Sequence, residues 1–223
     1  MEDRRAKPAD LHATVYSKAR VGHLSGMPLR EVISAATIAG RVAELGAEVE
    51  ARLPPGPLTV VGVLRGAFVF TADLVRAIRR DLTVDFLAVR SYGDATVSSG
   101  VVEITSDLGA PIAGRHVLLV EDIVDTGLTL RYLLDLLRAR GPASLHVCAL
   151  LAKPARIDQP GTLGGFPDSP ATTPLGEAPL RPRDPPLPLD FVGFQAPEGF
   201  VVGYGLDGRQ LYRNLPGISV LEE

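Results

Sequence analysis

The segment that most restricts the fold lies at residues 117–129 and reads V-L-L-V-E-D-I-V-D-T-G-L-T. Its first four residues are aliphatic and favour a strand that is apolar on both faces, as in a parallel sheet covered by helices on each side. Glu121 and Asp122 follow where this strand ends. Open α/β sheets bind their ligands at that edge. We therefore expect an α/β fold in which this strand carries two carboxylates to a binding cleft.

A phosphate-binding turn is predicted directly after the strand. Thr126, Gly127 and Thr129 follow Asp125 and precede an amphipathic helical pattern, formed by Leu130, Leu133, Leu134 and Leu137. Glycine, hydroxyl groups and free backbone N–H groups at a helix N-terminus bind phosphate. The neighbouring carboxylates would repel phosphate unless they bind another group, and ribose hydroxyls and a divalent metal ion are the candidates. A sugar phosphate with free hydroxyl groups meets both requirements.

These residues resemble a known family. Aliphatic residues, Glu-Asp, two aliphatic residues and Asp-Thr-Gly-x-Thr are similar to the phosphoribosyl-pyrophosphate motif of the type I phosphoribosyltransferases. Within that family, the bacterial hypoxanthine(-guanine) enzymes of purine salvage are the most similar. The resemblance covers roughly residues 58–221 apart from a proline-rich segment, and rests on separate motifs in the expected order. It implies a mostly parallel five-stranded sheet flanked by helices, with a small C-terminal hood.

The implied reaction transfers the 5-phosphoribosyl group from phosphoribosyl pyrophosphate to hypoxanthine, guanine or both, giving IMP or GMP and pyrophosphate. Mg²⁺ is the implied cofactor, with Glu121, Asp122 and Asp207 as its implied ligands. The first two carboxylates would also bind the ribose hydroxyls. Asp125 would be the general base that takes a proton from the imidazole ring of the purine.

Residues 58–64 form another apolar strand, which ends at Arg65 and Gly66. Taken alone, this is a strand-to-helix turn. In the resembling family the turn binds pyrophosphate and follows a cis peptide bond, here Leu64–Arg65. Many relatives have lysine where Arg65 stands. The resemblance adds Arg213 as a second pyrophosphate ligand and assigns the 5′-phosphate to Thr126, Gly127 and Thr129.

Three further residues match positions that contact the purine in the family. Lys153 follows the apolar stretch 145–151. A lone lysine there is usually a surface charge, but the matching lysine contacts the exocyclic oxygen of the purine. Phe200 matches a residue that stacks on the base, and stacking suits a flat aromatic ligand. Val201 matches a residue that contacts the ring edge through its backbone.

Ser91 and Tyr92 precede residues 93–100, a small polar stretch bounded by glycines. On its own this stretch indicates an ordinary hairpin loop. The Ser-Tyr pair resembles the start of the mobile loop that closes over the reaction centre in the family, where water must be excluded. We expect both residues to belong to the substrate-binding site.

Four regions are expected along the chain. The proline-rich segment, residues 154–188, holds ten of the chain's nineteen prolines and has no helical or strand period, which indicates an extended or disordered loop. The regions are an N-terminal arm with little order (1–28), the phosphoribosyltransferase core (29–153), the proline-rich insertion (154–188) and the C-terminal hood with the purine-binding segment (189–223).

The bulk composition restricts partners and location. A formal charge of −3 at pH 7 gives no reason to expect nucleic-acid or membrane binding. Cys148 is the only cysteine and lies in an apolar stretch, so we interpret it as a core residue. The chain contains neither a run of 18 apolar residues nor a recognisable targeting segment. We expect a cytoplasmic protein.

Two alternatives remain open at this stage. One is a regulatory protein that shares the 13-residue motif, senses phosphoribosyl pyrophosphate and controls RNA or DNA, although such a protein should carry a basic face. The other is a salvage enzyme for xanthine. The resemblance also implies a homo-oligomer, either a dimer or a tetramer.

Overall fold

The structure is a computed structural model that describes residues 28–92, 101–153 and 187–222. The loop 93–100, most of the N-terminal arm and most of the proline-rich insertion lie outside these ranges. The described elements are β1 (Leu29–Ile33), α1 (Ala35–Arg52), β2 (Leu58–Leu64), α2 (Phe68–Ala77), β3 (Leu82–Tyr92), β4 (Val101–Ser106), β5 (His116–Val124), α3 (Leu128–Arg138), β6 (Ser144–Ala152), β7 (Phe191–Gln195), β8 (Val201–Val202) and β9 (Ile218–Leu221).

The main sheet has the strand order β4-β3-β2-β5-β6-β7. Strands β3, β2, β5, β6 and β7 run parallel to one another. Strand β4 returns antiparallel to β3 and forms the sixth, edge strand. The α/β class and the mostly parallel sheet are therefore confirmed, with β5 at the interior position that its apolar sequence predicts.

Both faces of the sheet are covered, as the uninterrupted aliphatic run requires. In β5, Leu118 and Val120 pack into the cluster that includes residues of α1 and α2. Val117 and Leu119 of the same strand pack into the cluster formed with α3. Helix α1 begins after Ser34, whose side chain accepts a hydrogen bond from the backbone N–H of Thr37, as expected of an N-cap.

A second, three-stranded sheet of order β1-β9-β8 joins the hood strands β8 and β9 to β1, which comes from the start of the core region. Both of its strand pairs are antiparallel. The sequence does not predict strand β1, because its five residues have mixed polarity and carry little strand signal. Within the described ranges, no helix is long and apolar enough to span a membrane.

Candidate active site

The carboxyl ends of β2 and β5 border a cavity of about 400 Å³. The turn after β2, the turn before α3 and two hood residues complete its wall, together with apolar side chains that the sequence did not single out. Cavities of this size hold small molecules. The sequence-predicted residues that line it are Arg65, Gly66, Glu121, Asp122, Asp125, Thr126, Gly127, Thr129, Asp207 and Arg213.

Two adjacent carboxylates, one buried and one half-buried, dominate the electrostatics of this cavity. Glu121 is only 6% exposed. Burial raises the pKa of its carboxyl well above the ordinary value, and the negative charge of Asp122 raises that pKa further. Burial also raises the pKa of Asp122, although the backbone N–H of Ile123 and the charge of Arg213 oppose this. A bound cation would compensate the pair.

The third predicted metal ligand, Asp207, is already engaged by the protein. Its Oδ1 lies 2.5 Å from Nη2 of Arg213, and its Oδ2 accepts a hydrogen bond of 2.7 Å from the backbone N–H of Gln210. No group of three or more metal-binding side chains comes together in the part of the chain that the structure describes. The donor set fits Mg²⁺, which commonly uses one or two carboxylates and completes its shell with ligand oxygens and water.

Replacement of Glu121 by glutamine should stabilise the ligand-free protein at high pH. A carboxyl whose pKa is higher in the folded than in the unfolded protein contributes stability while protonated, and this contribution is lost as the pH rises through the folded pKa. Glutamine avoids that loss, so Tm should rise at pH 8, by about 2–4 °C per kcal/mol. The gain should vanish near pH 4, where Glu121 is itself protonated.

Thermal unfolding followed by circular dichroism between pH 4 and pH 8, with a chelator present, measures this effect. Glu103→Gln is the matched control, because Glu103 is an exposed residue of β4. A Tm difference for Glu121→Gln that did not change with pH would contradict the assigned burial effect.

The turn between β5 and α3 requires glycine at position 127 for two reasons. Gly127 has a φ of 79°, in the left-handed region that favours glycine. A Cβ atom there would lie 2.0 Å from Cδ1 of Leu187. Leu187 is 1% exposed and belongs to the apolar cluster beneath α3. The last residues of the predicted insertion therefore support the turn, and no local pattern in the sequence indicated this.

Truncation of Leu187 to alanine should destabilise the protein and weaken binding of a phosphate-bearing ligand. Removal of a buried leucine side chain costs about 2–5 kcal/mol, and here the cavity would open directly under the turn. Thermal unfolding and calorimetry with ribose 5-phosphate measure the two effects. Leu189→Ala is the control, because Leu189 is partly buried in the same cluster. Equal binding by both variants would show that Leu187 contributes only to stability.

The turn after β2 packs tightly between β5 and the hood. Its peptide bond Leu64–Arg65 is cis, as the family resemblance implied. A Cβ atom on Gly66 would lie 1.5 Å from Oδ2 of Asp122. On the other side, a Cβ atom on Gly205 would lie 2.2 Å from the carbonyl oxygen of Gly66. Both close approaches require glycine.

The predicted purine-binding residues occupy two places. Nζ of Lys153 lies 2.7 Å from Oδ2 of Asp125, next to the phosphate-binding turn. Phe200 and Val201 belong to the hood. None of these three predicted residues is among those that line the cavity. Phe200 is 58% exposed, so its side chain is accessible to a ligand.

The other two predicted substrate ligands lie at the end of β3. Ser91 and Tyr92 are its last two residues. Their side chains and the loop that follows lie outside what the structure describes. Their predicted role therefore stays a prediction.

Comparisons with known proteins identify a matching family and similar structures. The family model for the phosphoribosyl transferase domain matches residues 32–163. The hypoxanthine-guanine phosphoribosyltransferase of Bacillus subtilis is 41% identical over 191 residues, which cover 86% of this chain and 92% of the relative. The hypoxanthine phosphoribosyltransferase of Haemophilus influenzae is 41% identical over 199 residues, which cover 86% of this chain and 96% of the relative. A crystal structure of the Staphylococcus aureus hypoxanthine phosphoribosyltransferase aligns with a TM-score of 0.70 and 37% identity. The alignment covers 86% of this chain and 91% of that structure.

Proposed function

The chain belongs to the phosphoribosyl transferase family, and from this premise we propose that it is a purine-salvage enzyme. It transfers the 5-phosphoribosyl group from phosphoribosyl pyrophosphate to hypoxanthine, guanine or both, and releases pyrophosphate. The observation that carries this proposal is the convergence of an acid pair, a phosphate-binding turn and two arginines on one cavity.

The sugar phosphate is assigned to the end of β5 and the turn that follows. The hydroxyls of Thr126 and Thr129 and the backbone around Gly127 bind the 5′-phosphate, in keeping with the anion affinity of helix N-termini. Glu121 and Asp122 accept hydrogen bonds from the ribose hydroxyls. These contacts place the anomeric carbon of the ribose inside the cavity.

The departing pyrophosphate is assigned to the opposite wall. Arg213 and the Arg65–Gly66 turn line that wall, and both can donate hydrogen bonds to an anion. The acid pair would hold Mg²⁺, which would supply positive charge that stabilises the leaving group. Stabilisation of the negative charge on the departing pyrophosphate favours cleavage of the bond between the anomeric carbon and pyrophosphate.

The purine is assigned to the Asp125–Lys153 pair. A 6-oxopurine presents its exocyclic oxygen next to an imidazole nitrogen, and the ion pair presents a donor and an acceptor 2.7 Å apart. Lys153 donates to the oxygen, and Asp125 accepts the proton that leaves the imidazole ring as the purine bonds to the ribose. Phe200 stacks on the base, and the backbone of Val201 contacts its edge.

The enzyme is better supported than either alternative. The similar proteins carry the names of hypoxanthine or hypoxanthine-guanine phosphoribosyltransferases. The net charge of −3 does not suit an RNA-binding or DNA-binding regulator. A homo-oligomeric state and a cytoplasmic location stay predictions, and light scattering of the purified protein measures the first of them.

Nucleotide formation from a panel of bases tests the proposal. The protein is mixed with phosphoribosyl pyrophosphate, Mg²⁺ and, separately, hypoxanthine, guanine, xanthine, adenine or uracil. Product from hypoxanthine or guanine is the expected result, and the relative rates rank the two substrates. Product from xanthine alone would change the substrate assignment. No product from any base, with phosphoribosyl pyrophosphate still bound, would favour the regulatory protein.

A further inference from the structure

The hood is linked to helix α2 by a hydrogen bond between two side chains that lie 131 residues apart in the sequence. The hydroxyl of Tyr204 donates to Oδ2 of Asp73 at 2.6 Å. Burial and the neighbouring carboxylate raise the pKa of the Tyr204 phenol, so that it stays protonated and remains a donor. The partner, Asp73, lies on the helix that begins two residues after Gly66.

The backbone of Tyr204 is specialised for this contact. Its φ is 51°, in the left-handed region that a bulky residue rarely adopts. Gly203 and Gly205, on either side, also have positive φ angles. The backbone N–H of Tyr204 donates to the carbonyl oxygen of Leu215 at 2.8 Å, which holds this conformation from within the hood. A conformation of this kind persists only where surrounding contacts determine it.

The residue after Tyr204 contacts both groups assigned to pyrophosphate. Gly205 approaches the carbonyl oxygen of Gly66 so closely that a Cβ atom would lie 2.2 Å from it. The carbonyl oxygen of Gly205 accepts a hydrogen bond of 2.7 Å from Nη1 of Arg213. The backbone N–H of Gly205 donates to the carbonyl oxygen of Arg213 at 3.0 Å. The position of Gly205 therefore determines the spacing between the Gly66 turn and Arg213.

We propose that Tyr204 is a positioning residue for the pyrophosphate end of the cavity. By bonding to Asp73, it fixes Gly205 against the Gly66 turn, and Gly205 in turn orients Arg213. This inference rests on the proposed function, because it assumes that pyrophosphate binds between those two groups. The Asp125–Lys153 pair follows β5 and β6 and is not part of the hood, so binding of the purine should be less affected.

Replacement of Tyr204 by phenylalanine removes the hydroxyl and keeps the ring. The KM for phosphoribosyl pyrophosphate should rise about tenfold, as expected for loss of one hydrogen bond to a charged group. The KM for pyrophosphate in the reverse reaction should rise similarly, while the KM for the purine changes less. A residue with only a structural role would lower Tm without this selective change.

Tyr212→Phe is the matched control. Tyr212 is as buried as Tyr204 and lies in the same hood, but its hydroxyl has no hydrogen-bond partner among the described residues. Removal of that hydroxyl should therefore leave the KM for phosphoribosyl pyrophosphate unchanged. Equal KM values for the two phenylalanine variants would overturn the inference.

Variants of Asp73 test the same bond from its other side. Asp73→Ala should reproduce the effect of Tyr204→Phe, and the double variant should be no worse than either single one. Asp73→Asn keeps a carbonyl oxygen that can accept from Tyr204, and should retain a lower KM than the alanine variant. Additive effects in the double variant would count against the inference. Failure of the unmodified protein to form nucleotide from any base would instead contradict the proposed function.

Discussion

Replacement of Asp125 by asparagine is expected to lower kcat about 10²–10⁴-fold, the range over which a positioned general base accelerates proton transfer. Asparagine has nearly the same shape but cannot take the proton that leaves the purine. In the proposed complex the side chain of Asp125 contacts the purine and is assigned no contact with pyrophosphate or the 5′-phosphate. Binding of phosphoribosyl pyrophosphate should therefore change little.

The ion pair with Lys153 makes the experiment more informative. Nζ of Lys153 lies 2.7 Å from Oδ2 of Asp125, so the amide variant also loses a charge partner of this lysine. If the lysine orients the purine through its exocyclic oxygen, the KM for the purine should shift in Asp125→Asn as well as kcat. Single-turnover measurements separate the chemical step from purine binding.

Asp135→Asn is the control for this substitution. Asp135 belongs to α3, is 79% exposed and forms an ion pair with Arg138. Surface substitutions of this kind usually have small effects, and turnover should stay close to that of the unmodified protein. Unchanged turnover in Asp125→Asn would refute its assignment as the general base.

The part of the site at the end of β5 could be predicted because its chemistry lies in one short segment. Strand β5 carries the acid pair near its end, and the turn and the start of α3 follow it without a break, so local rules for strands and helix N-termini sufficed. The left-handed φ of 79° at Gly127 agrees with the expected use of glycine in such a turn. The roles of the individual side chains stay predictions.

Contacts between distant segments could not be predicted in this way. Leu187 supports the phosphate turn from the end of a proline-rich stretch, and Tyr204 bonds to a carboxylate on another element. Neither contact has a period or a spacing in the sequence, because each depends on how separate elements pack. Aromatic and leucine side chains at such positions are normally interpreted as core, and their effect on a binding site is visible only in three dimensions.

Replacement of Gly66 by alanine should reduce kcat/KM about 100-fold or more, as expected when reacting groups are displaced by about 1 Å. A Cβ atom on this residue would lie 1.5 Å from Oδ2 of Asp122, closer than any two non-bonded atoms can approach. Either the carboxylate or the turn must therefore move. Gly205 lies against the carbonyl oxygen of Gly66 and restricts movement of the turn in that direction.

Displacement of Asp122 would disturb the ribose contacts, and displacement of the turn would disturb the pyrophosphate contacts. The KM for phosphoribosyl pyrophosphate should therefore rise whichever group moves. Gly40→Ala is the matched control, because a Cβ atom there has no neighbour within 4 Å and alanine favours the helix in which Gly40 lies. That variant should be fully active and slightly more stable. If Gly66→Ala kept the kcat/KM of the unmodified protein, the close approach of this turn to Asp122 could not be a condition for catalysis.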